Sequence, residues 1–432
     1  MKQALLGLGL LASGLSSWPQ AALAQSESLL LEPSLPADYD RGRNVSVTER
    51  ARPDYDPLGL HVGSFLVFPQ IQAGAGYSSN IYLDDSGERT DAPFVFLSPS
   101  VRAVSDWSRH RVQFRGSGTL RRFINESARN EDVFSIAADG RYDVSSEVAV
   151  SAEGQFAQFF ESPLSGEVDP GVSALSNYQR ASAGLRAEYR VGQIRAIAAV
   201  DRADFDFSNI TLPDGTVRSQ ADRDRTIERL SGQLQYAWTP SASVYGRAFY
   251  TEIDYDQALA NGNANRDSKG TGLIAGLNLD LAGFLRGIVG VGYLWREYHS
   301  PLYRDVQGFS AEARLEYFPS ELTTVTLAGR RVIEDSNLGT SNAYFDTRLS
   351  ARVDHELLRN LILYGQGEAS FQNFIGTTDK SNVYRISSGA RYLSSRDVAL
   401  ELGAAYGTRN SNSISRAEFD EFRVQASLIL QR

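Results

Sequence analysis

The 432-residue chain contains no cysteine. That excludes a disulfide framework, thiolate metal ligation and a lipid-modified N-terminal cysteine. Lysine is scarce as well. It occurs only at Lys2, Lys269 and Lys380, so arginine carries nearly all the basic charge. Arginine's planar fork suits fixed ion pairs and bidentate contacts to carboxylates or sugar hydroxyls. The formal net charge is −9, which argues against a nucleic-acid partner. Past the N-terminus, no stretch approaches the ~20 apolar residues of a membrane-spanning helix.

Catalytic signatures are missing too. There is no G-x-S-x-G nucleophile elbow. His61, His110, His299 and His355 are scattered, without H-E-x-x-H spacing. Gly270-Thr271-Gly272-Leu273-Ile274-Ala275 meets a loose dinucleotide pattern, but no βαβ unit surrounds it, so it reads as strand glycine. Asp201, Asp204 and Asp206 close one strand near a loop and read as solvated ends, not an acid–base pair. Outer-loop carboxylates (Asp84, Asp85, Glu88, Asp91, Glu167, Asp169, Asp214 and Asp222) read as ordinary solvated loops, with a weak calcium site as the alternative. The chain is therefore expected to be no enzyme, with no catalytic residue, cofactor or metal site.

What is present is a repeated β-hairpin, seen most clearly in Phe309 to Val332. Phe309, Ala311, Ala313, Leu315 and Tyr317 share one parity; Ser310, Glu312, Arg314 and Glu316 share the other. This period-two alternation marks a strand with one apolar and one polar face. Phe318 to Glu321 reads as a tight turn. The return strand puts Val325 and Leu327 on one side and Thr324, Thr326 and Arg330 on the other. Full charges in mid-strand fit a transmembrane barrel better than a soluble sandwich: apolar residues face lipid and charges face a wet lumen. A one-residue slip of Phe309–Tyr317 would turn three charges to lipid, at roughly 5–10 kcal/mol.

Residues 1–24 read as a secretory signal: Lys2, an apolar Ala4–Leu15 stretch too short to span, and Ala22-Leu23-Ala24 before the cleavage point. Residues 25–63 read as a polar periplasmic arm, either tucked into the barrel mouth or disordered. Residues 64–432 read as an antiparallel up-and-down outer-membrane β-barrel of eighteen strands, with sixteen as the alternative. Short turns are expected near 106–109, 143–146, 191–193, 239–242, 282–283, 319–321, 357–359 and 394–397, with nine longer connections between them. Short periplasmic turns and long outside loops are the outer-membrane pattern, and an even count puts both termini in the periplasm. Aromatics precede many short turns: Tyr142, Tyr189, Tyr236 with Trp238, Tyr317 and Tyr392. These predict one girdle; Tyr82, Tyr250, Tyr298 and Phe422 predict the other. The last strand should turn Phe422, Val424, Ala426, Leu428 and Leu430 outward and Arg423, Gln425, Ser427 and Gln431 inward. The chain ends Leu430-Gln431-Arg432, not on an aromatic.

One stretch carries a family resemblance. Arg52-Pro53-Asp54-Tyr55-Asp56-Pro57-Leu58-Gly59, then Gly63-Ser64-Phe65, Phe68-Pro69 and Asn80-Ile81-Tyr82, resembles the leading motif of the outer-membrane family termed "putative β-barrel porin 2". The resemblance continues along the barrel as a pattern of strands. It implies a bacterial outer-membrane barrel linked to exopolysaccharide export and biofilm-matrix secretion in a Gram-negative envelope. Outer-membrane lipid, the barrel-insertion machinery, a periplasmic polysaccharide-export protein and a polysaccharide chain are its implied partners.

The lumen parity is rich in arginine. Arg180, Arg186, Arg229, Arg314, Arg348, Arg352, Arg385, Arg391 and Arg423 are candidate lumen-lining residues, with Glu312 and Glu316; Glu188 and Glu401 share that face. They form either a charged, hydroxyl-binding wall or a ladder of cross-strand ion pairs that stiffens the barrel. So many charges cannot all be paired in a dry core, so the interior should be wet. Three functions follow: a conduit for exopolysaccharide, a general or sugar-selective diffusion porin, and an enzyme acting at the barrel rim.

Overall fold

The computed structural model describes residues 44–84, 89–161, 176–211, 216–259, 261–336, 341–412 and 418–432. The expected signal segment 1–24, the arm up to residue 43, and Asp85, Glu88, Glu167, Asp169 and Asp214 lie outside the described residues.

Eighteen strands form the wall. They are β1 (Phe65–Ser78), β2 (Ala92–Ser105), β3 (Arg111–Phe123), β4 (Glu131–Asp143), β5 (Val148–Phe160) and β6 (Asn177–Val191). Then come β7 (Ile194–Phe207), β8 (Arg225–Thr239), β9 (Ala242–Tyr255), β10 (Ser268–Leu281), β11 (Leu285–Tyr298) and β12 (Val306–Ser320). The last six are β13 (Thr323–Asp335), β14 (Ala343–Leu358), β15 (Leu361–Phe374), β16 (Lys380–Leu393), β17 (Val398–Ser411) and β18 (Phe419–Gln431). Each pairs antiparallel with its sequence neighbours, and β1 pairs with β18 from Gln70↔Gln431 to Ser78↔Arg423, so the sheet closes. Closure satisfies the edge groups that hydrocarbon could not. The expected hairpin turn is shorter than Phe318–Glu321: β12 runs to Ser320 and only Glu321-Leu322 separate it from β13.

The outer face follows the parity of the sequence. Leu185, Leu230, Leu234, Leu273, Val291 and Leu402 all point outward and are exposed. Tyr142, Tyr189, Tyr236, Trp238, Tyr317 and Tyr392 are exposed beside the short turns. At the opposite end Tyr250 and Phe422 are exposed, but Tyr298 is buried on the inner face and Tyr82 packs against a loop cluster. These two do not belong to the outer girdle. Parity explains the first, because Tyr298 is in step with inward Arg286 and Arg296; Tyr82 lies beyond the end of β1, where strand parity no longer applies.

Outward charges gather at the long-connection end, as in the exposed Arg122–Asp132 pair of β3 and β4 at 2.6 Å and in a row across β7–β11. Arg202, Glu228, Glu252, Lys269 and Glu297 are direct register partners on five successive strands. Arg202 meets Glu228 at 2.7 Å and Lys269 meets Glu252 at 3.8 Å. A charge at mid-bilayer costs about 2–4 kcal/mol, less for carboxylates, so this row marks the edge of the hydrocarbon. Asp204, outward and bonded to Arg202, belongs to the same band, whereas Asp201 of the same strand faces inward.

Candidate functional site: the barrel lumen

The inner face is built in three tiers. At the short-turn mouth, the arm from Asn44 to Gly59 runs across the inner ends of β10–β18. Asn44 donates to the Asp280 carboxylate at 2.8 Å and accepts from Gly283 N–H at 2.7 Å. Val47 N–H donates to Thr324 Oγ1 at 2.9 Å, and the fully buried Val47 side chain packs with Ile362, Leu393, Ala399 and Ile429. Arg286, almost wholly buried, donates to Glu49 at 2.6 Å, to Glu316 at 2.5 Å and to the Asn44 carbonyl at 3.0 Å.

The leading motif has a physical reading here. Arg52 is buried against Glu356 at 2.7 Å and also donates to the Val47 and Arg50 carbonyls. The Pro53 carbonyl accepts from Arg396, Asp56 accepts the Arg52 backbone N–H, and Tyr55 packs against the Val47 cluster. Gly59 has φ +74°, and a Cβ there would sit 2.9 Å from the Phe68 ring. Only glycine takes that backbone and that space without strain. Leu60–Val62 then pairs with Phe65–Val67 and leads into β1.

In the middle tier, aromatic side chains lie flat on the wall over glycines. Tyr245 of β9 extends past Gly276 of β10 and Gly290 of β11 and donates to Glu312 of β12 at 2.6 Å. A Cβ on Gly290 would be 2.4 Å from the Tyr245 hydroxyl. Phe249 lies likewise on Gly272, where a Cβ would come within 2.2 Å of its ring. This is the structural role of Gly272 in the dinucleotide-like stretch 270–275. Arg247 joins Tyr245 on Glu312.

All eleven candidate residues sit on the inward parity of their strands. Arg180 of β6 donates to Gln155 at 2.5 Å and stacks 5.4 Å from Phe159. Arg186 is on the same strand and half-buried. Arg229 of β8 is buried, 5.3 Å from the Phe249 ring and 3.2 Å from Thr251. Arg314 and Glu316 lie 4.0 Å apart along β12. On β14, Arg348 pairs with Asp346 at 2.6 Å and Arg352 with both oxygens of Asp354 at 2.8 Å. Arg385 and Arg391 are on β16, and Arg391 stands opposite Glu401 of β17 in register. Arg423 pairs with Glu421 at 2.6 Å on β18. Many of these pairs run two residues along one strand, not across neighbouring strands as the ladder expectation had it. Residues i and i+2 share a face, so the partner is close in either direction. Direct cross-strand pairs also occur, as between Arg121 and Glu131 and between Arg286 and Glu316.

At the long-connection end the wall departs from the pattern. β12 and β13 stop pairing at Ala311↔Arg331, although both strands continue. Beyond that point Val306–Ser310 stay with β11 and Val332–Asp335 stay with β14. Ile333 and Phe345, on the lipid-facing parity, are buried instead against Leu294, Tyr298 and Val306 from the inner faces of β11 and β12. The β13–β14 tip therefore leans into the lumen. Asp335 at the tip accepts from Arg296 at 2.8 Å, from Tyr298 at 3.2 Å and from Tyr255 at 2.7 Å. Arg266 donates to the Ser336 carbonyl at 2.5 Å. Arg331 fills the seam, donating to the Phe309 carbonyl and to Thr347 while stacked 4.3 Å from Phe345. Sequence reasoning missed Asp335, Arg296 and Tyr255, because nothing in the alternation marks a strand end that turns inward.

A family model described as "Putative beta-barrel porin 2" matches residues 52–432. It begins at Arg52, the first residue of the motif seated in the mouth. No curated protein matches the chain. Among solved structures, the chain is similar to OccK1 (OpdK) of Pseudomonas aeruginosa at 10% identity and TM-score 0.46, covering 85% of this chain and 99% of that one. It is also similar to OccK2 (OpdF) of the same organism, solved with glucuronate, at 11% identity and TM-score 0.44, covering 84% and 98%. A third is OpdL, also of Pseudomonas aeruginosa, at 13% identity and TM-score 0.43, covering 86% and 99%.

Proposed function

The chain belongs to the β-barrel porin 2 family of outer-membrane proteins, and on that premise we propose that it is a passive diffusion channel for small polar solutes, with a preference for anions. The observation that carries the reading is the way four of the lumen ion pairs are turned. In the Arg314–Glu316 pair the guanidinium is 43% exposed and the carboxylate 8%. Arg115–Asp139 has the same order, 42% against 29%, as do Arg348–Asp346 and Arg352–Asp354. In these four pairs the positive partner meets the solvent and the negative partner holds it against the wall, whereas in Arg121–Glu131, Arg247–Glu312 and Arg286–Glu316 the guanidinium is the more buried partner. A barrel of this strand number is too wide for side chains alone to fill and holds water or a plug. Here the arm narrows one mouth and the β13–β14 tip narrows the other end, which suits solutes of limited size.

In this reading the long connections lie outside the cell and both termini face the periplasm, in keeping with the outward charge row at the long-connection end. Of the eleven inward residues named from the sequence, the partly exposed ones supply the wall that solutes meet, while Arg229, Glu316 and Arg391 are buried in it. Exopolysaccharide export, which the leading motif implied, draws no separate support from the lumen: the arm and the tip both cut across the bore that a polymer would thread. The test is solute flux into liposomes carrying the purified protein. Uptake of small sugars and carboxylates that falls steeply with solute size supports the diffusion channel. Impermeability to them, with loss of surface polysaccharide on gene deletion and its return on complementation, would replace it with export.

A further inference from the structure

We propose that the β13–β14 tip is a two-position gate: latched inward by Asp335 it narrows the lumen, and released it zips onto β12 in the existing register and widens the channel. Three observations support this. First, the seam is an interrupted pairing, not a mismatch. The β12–β13 register runs from Ser320↔Thr323 to Ala311↔Arg331. Stepping one residue further on each strand would set Phe309 opposite Ile333 and Gln307 opposite Asp335, with no bulge required.

Second, one register pair of the tip matches the wall it does not join. Tyr293 and Phe309 are register partners on β11 and β12, as are Ile333 and Phe345 on β13 and β14. All four have the lipid-facing parity. Tyr293 and Phe309 are 39% and 51% exposed, whereas Ile333 and Phe345 are 4% and 8% exposed because they are folded inward. Zipping would line the four up as one apolar row at girdle height. Arg331 and Asp335 flank Ile333 on the same parity, and Asp335 would turn outward with it at the long-connection end, where outward charges already lie.

Third, each position has its own set of contacts. Inward, Asp335 collects Arg296, Tyr298 and Tyr255, Arg266 holds the Ser336 carbonyl, and Phe345 rests on the bare backbone of Gly308. Arg331 occupies the opened seam, giving the Phe309 carbonyl a side-chain donor. Outward, the ladder would extend and replace that donor with backbone N–H groups. Two discrete packings of one element, biased by a few contacts, are what a switch requires.

The inference rests on the channel reading, and a disulfide assay tests the movement without it. The chain has no native cysteine, so introduced pairs are clean. The test pair is Phe309→Cys with Ile333→Cys. The control pair, Leu315→Cys with Leu327→Cys, lies in the same ladder class and is already in register. Both are oxidised in the full-length, membrane-inserted protein, with and without Asp335→Asn. The gate predicts that the test pair crosslinks, faster with Asp335→Asn. It also predicts that the oxidised protein holds a larger unitary conductance, lost again on reduction. A test pair that stays reduced in both backgrounds while the control pair oxidises would overturn the proposal. So would a crosslinked protein that conducts no more than its reduced form. If the unmodified protein conducts nothing, the channel reading fails, and the crosslinking result still decides the movement.

Discussion

Replacing Arg52 with alanine should unseat the arm from the short-turn mouth while leaving the barrel intact. Arg52 and Glu356 are 3% and 4% exposed and meet at 2.7 Å. Burial pulls the Arg52 guanidinium below its ordinary pKa, and Glu356 restores only part of it. The pair is therefore a positioning contact held at a desolvation cost, and removing one partner strands the other. Breaking such a pair costs about 3–5 kcal/mol. Glu356 keeps Arg359 at 3.3 Å and Arg50 at 4.0 Å, which puts the loss near the lower end. At ~1.4 kcal/mol per decade, the ratio of seated to unseated arm falls by about 10²-fold. Hydrogen exchange reads this directly, because the Val47 amide is buried and bonded to Thr324. Protection of the 44–59 segment should drop by about two decades while the barrel strands keep theirs. Arg52→Met with Glu356→Leu should restore most of it, since apolar replacement of a buried pair is often neutral. Unchanged protection in Arg52→Ala would refute the reasoning and leave Arg286 and the Val47 cluster as the anchors.

Neighbouring residues on β12 should behave oppositely. Arg314→Ala should assemble normally and lower anion preference in reversal-potential measurements, whereas Leu315→Arg should cost about 2–4 kcal/mol in the bilayer and abolish the heat-modifiable folded band on gels. Gly290→Ala should destabilise by about 1–3 kcal/mol through overpacking against Tyr245, read as a lower urea midpoint, and Tyr245→Phe in the same chain should recover part of it. Acid should loosen the loops at the long-connection end. Burial raises the Glu161 pKa, but Arg223 outweighs it and holds the carboxyl below its ordinary 4.5. Its contribution is thus complete above about pH 4.5 and lost as pH falls through the lower folded value. Proteolysis of the segment around Arg223 should rise across that acid range and stay flat at neutral pH.

The strand pattern was legible because a membrane wall obeys one rule along its whole length. Each step of two residues returns to the same face, and each charge on the wrong face is costly. Hence Leu315, Leu327 and Leu428 could be assigned to lipid, and Arg352 and Arg423 to the lumen, from alternation alone. The same rule misleads where a strand leaves the wall. Ile333 and Phe345 are written as lipid-facing residues, and only the end of pairing at Arg331 reveals that they are folded inward. Tyr298 falls within the expected outer girdle because aromatics gather there, yet its parity points inward. The arm has no periodicity because its partners are supplied by strand ends and turns more than two hundred residues away in sequence, as Asn44 with Asp280 illustrates. Its motif was visible as a motif, and its reason, a buried Arg52 and a left-handed Gly59, was not.

The most direct measurement is the reversal potential of single channels in planar bilayers under a salt gradient, using the purified, folded full-length protein. The solvent-facing guanidiniums of Arg115, Arg314, Arg348 and Arg352 predict a channel that is open in the absence of any partner and whose current reverses on the anion side. A protein that inserts as a folded barrel but passes no current, or one whose current reverses on the cation side, would contradict the assignment.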